Sequence, residues 1–251
     1  MSGHSKWHSI KHKKGALDAK RGKIFTKHAK LIAIAARHGG DPEMNPGLRT
    51  AIENAKADNV PNMNIDRAVK KGSGQDKDAV IYEEIFYEGF GPNGIALYIH
   101  AITDNKNRTS SDLKAILSRK GGGMGATGSS SWVFEQKGLI TVPMKPGVNL
   151  DEMELMLIDA GASDIKKSDD VLEVFTDFTE LAQVRGNLTK NGIAFESAEV
   201  AFIPKQTVKL TTKDDAEKAL SLIEALEEND DVSDVYANFE IDDSIIGQLE
   251  S

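Results

Sequence analysis

The chain has 251 residues, a formal net charge of −8, hydrophobic residues at 39% and no cysteine. That length accommodates two or three ordinary domains, the composition suits a globular rather than a disordered protein, and the lack of cysteine excludes disulfides, iron–sulfur clusters, thiolate-bound zinc and cysteine nucleophiles. No run approaches the roughly 18–20 apolar residues of a spanning helix, and the opening MSGHSKWHSIKHKKG has no apolar stretch to act as a secretory signal, so a cytoplasmic location is expected.

The charge is segregated along the chain. Residues 1–74 hold fifteen Lys and Arg against six Asp and Glu, a net of +9; the remaining 177 hold sixteen against thirty-three, a net of −17. A basic module on an acidic body points to a polyanion contact confined to the basic part.

The first 72 residues read as helices. From Asp18 to His38, Leu17, Ile24, Leu31, Ile32 and Ala35 share one face at helical spacing, and Gly39-Gly40 ends the run. A second helix is expected from Pro46, a residue favoured at the first helical position, to about Asp58. A third runs from Ile65 to Lys71, and the polar segment Gly72–Ala79 reads as a linker. Strands are then expected at Ile81–Tyr87 and Gly94–Ala101, a helix at Asn107–Lys120 and a strand at Ser130–Glu135. A βαββαβ set follows: strand Leu139–Pro143, helix Leu150–Ala160, strands Asp164–Lys167 and Leu172–Thr176, helix Phe178–Asn191 and strand Phe195–Ile203. Strand Thr207–Leu210, helix Asp214–Glu227 and strand Val232–Phe239 complete the chain. The expected fold class is α+β: an N-terminal three-helix domain followed by two ferredoxin-like α/β domains, one inserted in the other. The expected boundaries are 1–79 for the basic helical domain, 80–136 plus 205–251 for a discontinuous α/β domain, and 137–204 for the inserted one.

Functional candidates lie in the basic module. On a helical wheel Lys13, Lys20, Lys23, Lys27, Lys30 and Arg37 fall within about a third of the circumference, mostly opposite the apolar residues. Lysines three and four apart repel one another, a cost that a polyanion relieves, and each phosphate contact releases counterions. Lys6, Lys11, Lys14 and Arg21 extend the patch. Trp7, flanked by Lys6, His4 and His8, either stacks on an unpaired base or anchors the tail by burying its ring. His4, His8 and His12 recur every fourth residue, but the lysines around them favour imidazoles that gain charge beside a phosphate over a metal site. The nucleic-acid-binding set is therefore His4, Lys6, Trp7, Lys11, Lys13, Lys14, Lys20, Arg21, Lys23, Lys27, Lys30 and Arg37.

Other patterns argue against chemistry. Gly123-Met124-Gly125-Ala126-Thr127-Gly128 matches G-x-G-x-x-G, yet it follows a helix and leads into a strand, the reverse of a dinucleotide fingerprint. The acidic helix Asp214–Glu227, with Glu228, Asp230 and Asp231 after it, reads as a soluble surface whose field repels nucleic acid. No P-loop, G-x-S-x-G or H-E-x-x-H occurs. No catalytic residue, metal or cofactor is expected, and the protein reads as a non-enzyme.

Several longer motifs closely resemble the YebC/PmpR family. They are Gly3-His4-Ser5-Lys6-Trp7, Asp18-x-x-Arg21-Gly22-Lys23-x-Phe25-Thr26-Lys27, Asn45-Pro46-x-Leu48-Arg49, Tyr87-Glu88-Gly89-Phe90-Gly91-Pro92-x-Gly94 and Asp104-Asn105-x-Asn107-Arg108-Thr109. One departure is Gly128-Ser129-Ser130-Ser131-Trp132, where that family more usually has Gly-Ser-Val. The resemblance implies a three-domain protein and a DNA-binding transcriptional regulator. It equally implies a ribosome-associated translation factor that binds rRNA and relieves stalled translation, because similar proteins include a mitochondrial translational activator. The expected partner is a nucleic acid, DNA or rRNA, with the ribosome as a further partner and no membrane. The aromatic signature of RNA-recognition sheets is absent, and Glu83, Glu84 and Glu88 beside Tyr82, Phe86 and Tyr87 argue against base binding on that sheet.

Overall fold

In the computed structural model, residues 17–75, 81–144, 148–168 and 171–249 are described. The N-terminal part holds helices α1 (Leu17–Ala35), α2 (Pro46–Ala57) and α3 (Asn62–Gly72), with a 3-10 turn at Ala36–His38 closing α1. Asn45 sets the angle between the first two. Its side-chain oxygen accepts from Leu48 N at the start of α2, and its Nδ2 donates to Ala35 O and Gly39 O, both at 2.8 Å. One residue thus caps an N-terminus and satisfies carbonyls left over at a C-terminus. Ile32, Ala36, Leu48, Ala55, Val60, Ile65 and Ala68 form the core of the three helices. Helices α1 and α3 approach closely because Gly72 has no side chain: a Cβ there would lie 2.1 Å from Ala33 O.

The first sheet comprises β1 (Glu83–Phe90), β2 (Ala96–Thr103), β3 (Gly123–Met124) and β9 (Val232–Ala237), in the order β3-β1-β2-β9 and antiparallel throughout. Helices α4 (Lys106–Arg119) and α7 (Lys213–Glu227) cover one face, over a core that includes Leu97, Ile99, Leu113, Leu117, Leu222 and Val235. A short parallel pair, β8 (Val208–Leu210) with β10 (Phe239–Ile241), and the terminal α8 (Asp243–Leu249) flank it. Between β3 and β9 in the chain stands the second sheet: β4 (Phe134–Pro143), β5 (Asp164–Ser168), β6 (Val171–Asp177) and β7 (Ser197–Pro204), in the order β5-β6-β4-β7. Helices α5 (Leu150–Ala160) and α6 (Leu181–Lys190) pack on it through Leu157, Ala160, Val184 and Leu188. This is the antiparallel strand order of a ferredoxin-like βαββαβ unit. The first sheet reaches a similar four-strand, two-helix layer by a different connection.

Two expectations about strands are corrected. Ser130–Glu135 and Leu139–Pro143 are not separate strands. Phe134 to Pro143 is one ten-residue strand, all of it in the second sheet, preceded by a 3-10 turn at Ser131–Val133. Gly138 does not end a strand but allows one to pass: a Cβ there would lie 2.2 Å from Thr176 Oγ1 and 3.0 Å from Leu181 Cδ1. Val232–Phe239 divides at Asn238, whose Oδ1 accepts from Ala96 N at 2.7 Å while its own backbone N–H donates to Ala96 O.

The free faces of the two sheets meet. On β2, Leu97 and Ile99 point to the helices, whereas Tyr98 and His100 point to the second sheet, the alternation that a pleat imposes. Phe86 stacks on Tyr98 and His100 at ring centroid distances of 4.8 and 4.7 Å. Phe202 of β7 stands edge-on to Phe86, Tyr98 and Tyr236. The sheet face that RNA-recognition domains leave open to bases is here closed by aromatic packing.

Candidate nucleic-acid interface

Of the twelve nucleic-acid-binding candidates, His4, Lys6, Trp7, Lys11, Lys13 and Lys14 lie outside the described residues, and for Lys20 and Arg21 only the helical backbone of α1 is described. The other four point at the body of the chain. Lys23 Nζ donates to Glu228 O at 2.9 Å, at the carboxyl end of α7, where unpaired helix carbonyls attract cations. Lys27 Nζ lies 2.6 Å from Asp234 Oδ1. Lys30 Nζ donates to Ile102 O at 3.0 Å, Asp230 O at 2.7 Å and Asp231 Oδ1 at 3.1 Å, which occupies all three of its protons. Arg37 donates to Tyr82 O. A small cleft of about 30 Å³ lies along this seam, between the three lysines of α1 and residues 227–233.

The acidic side of the seam is held rigidly. Asp231 Oδ2 accepts from Arg108 Nη2 and Thr109 Oγ1, both at 2.8 Å, and from Thr103 Oγ1 at 3.1 Å. Arg108 also bonds Asp104 at 2.7 Å, and Asn105 caps α4 by accepting from Arg108 N. The segment Asp104–Thr109 therefore builds the socket for Asp231. Burial alone would raise the Asp231 carboxyl, but bonds from Arg108, Thr109 and Lys30 outweigh it and bring its pKa down to about 2.

Three residues further along the chain, Asp234 is shared between Lys27 and His100. His100 Nδ1 stands 3.2 Å from Asp234 Oδ2, and its Nε2 stands 2.7 Å from Glu84 Oε1. Burial disfavours the imidazolium, yet the bonds to Asp234 and Glu84 prevail and raise its pKa to about 9. Burial likewise opposes the Lys27 charge, and Asp234 and Glu199 overcome that effect, so its pKa rises. Asp234 moves the other way: burial favours its neutral acid, and the Lys27 and His100 charges reverse this and hold it well below the usual carboxylate range.

Sequence reasoning singled out the cations of this cluster but not their partners. Asp234, His100 and the socket around Asp231 were missed, although the acidic run Glu227–Asp234 was the available signal. Two further contacts tie the modules together: Arg185 to Glu53 at 2.8 Å and Asn54 Nδ2 to Ala198 O at 3.3 Å.

The Gly-rich loop binds an anion, and the anion is its own. The backbone N–H groups of Gly128, Ser130 and Ser131 donate to the Glu88 carboxylate at 2.7, 2.6 and 2.7 Å. Burial would raise the Glu88 carboxyl, but these three donors hold it below its ordinary value. Gly125 N donates to Glu88 O at 2.8 Å as well. The donors that a phosphate would need are taken by Glu88. Trp132, at the end of this loop, stays 66% exposed while its indole N–H is fixed on Ser129 O. Among the described residues there is no cluster of side chains suited to a metal ion, and no helix is long and apolar enough to cross a membrane.

Comparison with known proteins agrees with this architecture. Residues 5–75 match the family model described as TACO1/YebC protein N-terminal domain, and residues 82–239 match TACO1/YebC second and third domain. A protein of Thermosipho melanesiensis named "Probable transcriptional regulatory protein" is 52% identical over 99% of this chain and 98% of its own. Proteins of the same name from Geotalea uraniireducens and Halothermothrix orenii are 51% and 47% identical, each over 99% of this chain and 100% and 99% of their own. A crystal structure of a conserved hypothetical protein, Aq1575 from Aquifex aeolicus, superposes with a TM-score of 0.86 at 44% identity, covering 94% of this chain and 97% of that one. The chain belongs to the TACO1/YebC family.

Proposed function

We propose that the protein is a non-enzymatic, nucleic-acid-binding regulator that acts in the cytoplasm as a DNA-binding transcriptional regulator, with phosphates contacted by the N-terminal helices and the segment before them. The observation that carries this reading is the charge segregation: +9 in residues 1–74 against −17 in the remainder. A polyanion that approaches the whole molecule is steered to one end of it. Two features of the body support the same end: the first sheet's aromatic face is covered by the second sheet, and the Gly-rich loop's donors are held by Glu88. The similar proteins named as probable transcriptional regulators are consistent with it. The described helices present no run of Asn, Gln and Arg arranged to read base edges, so modest sequence preference is expected.

Crosslinking in cells followed by sequencing of the recovered nucleic acid tests the proposal. Recovery of DNA fragments supports it; recovery of rRNA alone replaces transcription with ribosome binding, and recovery of neither removes the nucleic-acid reading. In vitro, affinity for duplex DNA should fall steeply with salt, and replacing Lys20, Lys23, Lys27 and Lys30 with Ala should flatten that slope by up to about 3–4 units.

A further inference from the structure

The lysines of α1 that suit phosphates are held by oxygens of the same chain. Carboxylate and phosphodiester oxygens are equivalent partners for an ammonium, since each is an anionic hydrogen-bond acceptor. Lys27 cannot serve both at once with its Nζ 2.6 Å from Asp234 Oδ1, and Lys30 has its three protons on Ile102, Asp230 and Asp231.

The way the two parts are joined adds a second observation. Among the described residues, the apolar core of the three helices draws only on residues between Phe25 and Val69. The other buried clusters draw only on residues from Tyr87 onward. No apolar cluster bridges them; the contacts across the seam include ion pairs, bonds to carbonyls and the Lys30 ammonium over the Tyr82 ring. A module that keeps its own core and meets its neighbour through polar groups can leave without exposing an apolar face.

We propose that the acidic edge formed by the carboxyl end of α7, the α7–β9 connection and the start of β9 is an intramolecular competitor for nucleic acid. It closes on α1 in the unbound protein, and a phosphate backbone gains Lys23, Lys27 and Lys30 only when the N-terminal helices leave the body. This rests on the nucleic-acid reading above and adds its regulation. The covalent connection keeps the acidic edge at high effective concentration, so a single phosphate competes poorly. A polymer that meets several cations together, beginning with those outside the seam, can displace it. The apparent dissociation constant is the intrinsic one divided by the open fraction, so closure weakens binding without changing any contact to the nucleic acid.

The absence of cysteine in the parent chain makes a direct test possible. Glu53→Cys and Arg185→Cys place thiols on α2 and α6 across the seam, away from the lysines, for joining by a bismaleimide whose spacer contains a disulfide. Fluorescence anisotropy with labelled duplex DNA, and in a second arm an rRNA hairpin, then compares the bridged chain with the same chain after reduction. The bridged form should bind the preferred polymer at least about tenfold more weakly, and reduction should restore affinity. Asp234→Asn, which weakens the hold on Lys27, should bind more tightly than the parent. Equal affinity of bridged and reduced chains, or a folded Asp234→Asn that binds no tighter, overturns the competitor while leaving nucleic-acid binding intact. If the reduced form binds neither polymer at low salt, both readings fall.

Discussion

Lys30 and Asp231, 201 positions apart in the chain, meet at 3.1 Å with side-chain exposures of 10% and 9%. A buried ion pair is stabilising only while its remaining hydrogen-bond capacity is filled, and here it is. Lys30 adds two carbonyls, and Asp231 adds Thr103, Arg108 and Thr109.

Asp231→Ala should therefore cost about 3–5 kcal/mol, because it leaves Lys30 buried without its counter-charge and the socket without its anion. Urea unfolding followed by tryptophan fluorescence and by circular dichroism would measure it. A loss below about 1 kcal/mol would mean that the pair contributes no more than a surface bridge.

His100 makes stability pH-dependent on the alkaline side. Its folded pKa is raised from 6.5 to about 9, so the folded state binds the proton more tightly than the unfolded one. The contribution is fully present below about pH 6.5 and disappears as pH rises through about 9, with a magnitude on the order of 3 kcal/mol. Denaturation midpoints at pH 6, 7.5 and 9.5 should fall in that order, and His100→Gln should remove most of the trend. Asp231 acts at the other extreme: its lowered pKa, about 2, gives stability present above about pH 4 and lost toward pH 2.

Glu88→Gln should loosen the Gly-rich loop without unfolding the sheets. Glutamine keeps one acceptor oxygen, so at best the Ser130 and Ser131 bonds persist as neutral ones while the Gly128 N–H faces an amide nitrogen that cannot accept, a loss of roughly 1.5–3 kcal/mol. Hydrogen exchange should accelerate at the amides of Gly128, Ser130 and Ser131, while the β1–β2 ladder keeps its protection. Unchanged exchange at those three amides would refute the anchoring role.

Gly72→Ala tests the close approach of α1 and α3. A methyl group 2.1 Å from Ala33 O forces the helices apart, at a cost of about 1–3 kcal/mol or more. The effect should be confined to the N-terminal helices, seen as faster hydrogen exchange at Ile32 and Ile65 with Leu97 and Val174 unaffected.

Much of the architecture could be read directly. Helix α5 was bounded correctly at Leu150 and Ala160 because Asn149 caps it through Asp151 N and Gly161, at φ 112°, ends it. The three N-terminal helices followed from apolar spacing and from Pro46. Strand β4 runs through two expected strands, and the role of Gly138 in its middle shows only in three dimensions, where it makes room for Thr176. The candidate site was legible in its charges but not in their orientation. Lys27 and Lys30 form a basic stripe suited to phosphates, and a stripe carries no mark of the distant residues that cover it. Asp231 stood in a run read as a soluble surface and Asp234 within an expected strand, and only tertiary folding brings Thr103, Arg108 and His100 around them.

The aromatic sandwich of Phe86, Tyr98, Phe202 and Tyr236 constrains how the chain can be divided. A truncated protein lacking residues 134–204 would retain every strand of the first sheet yet present its rings to water, an adhesive surface prone to self-association. The excised piece would carry the complementary defect at Phe134 and Phe202. Engineers seeking a minimal fragment should cut between the helices and the sheets, where charge rather than oil holds the halves together.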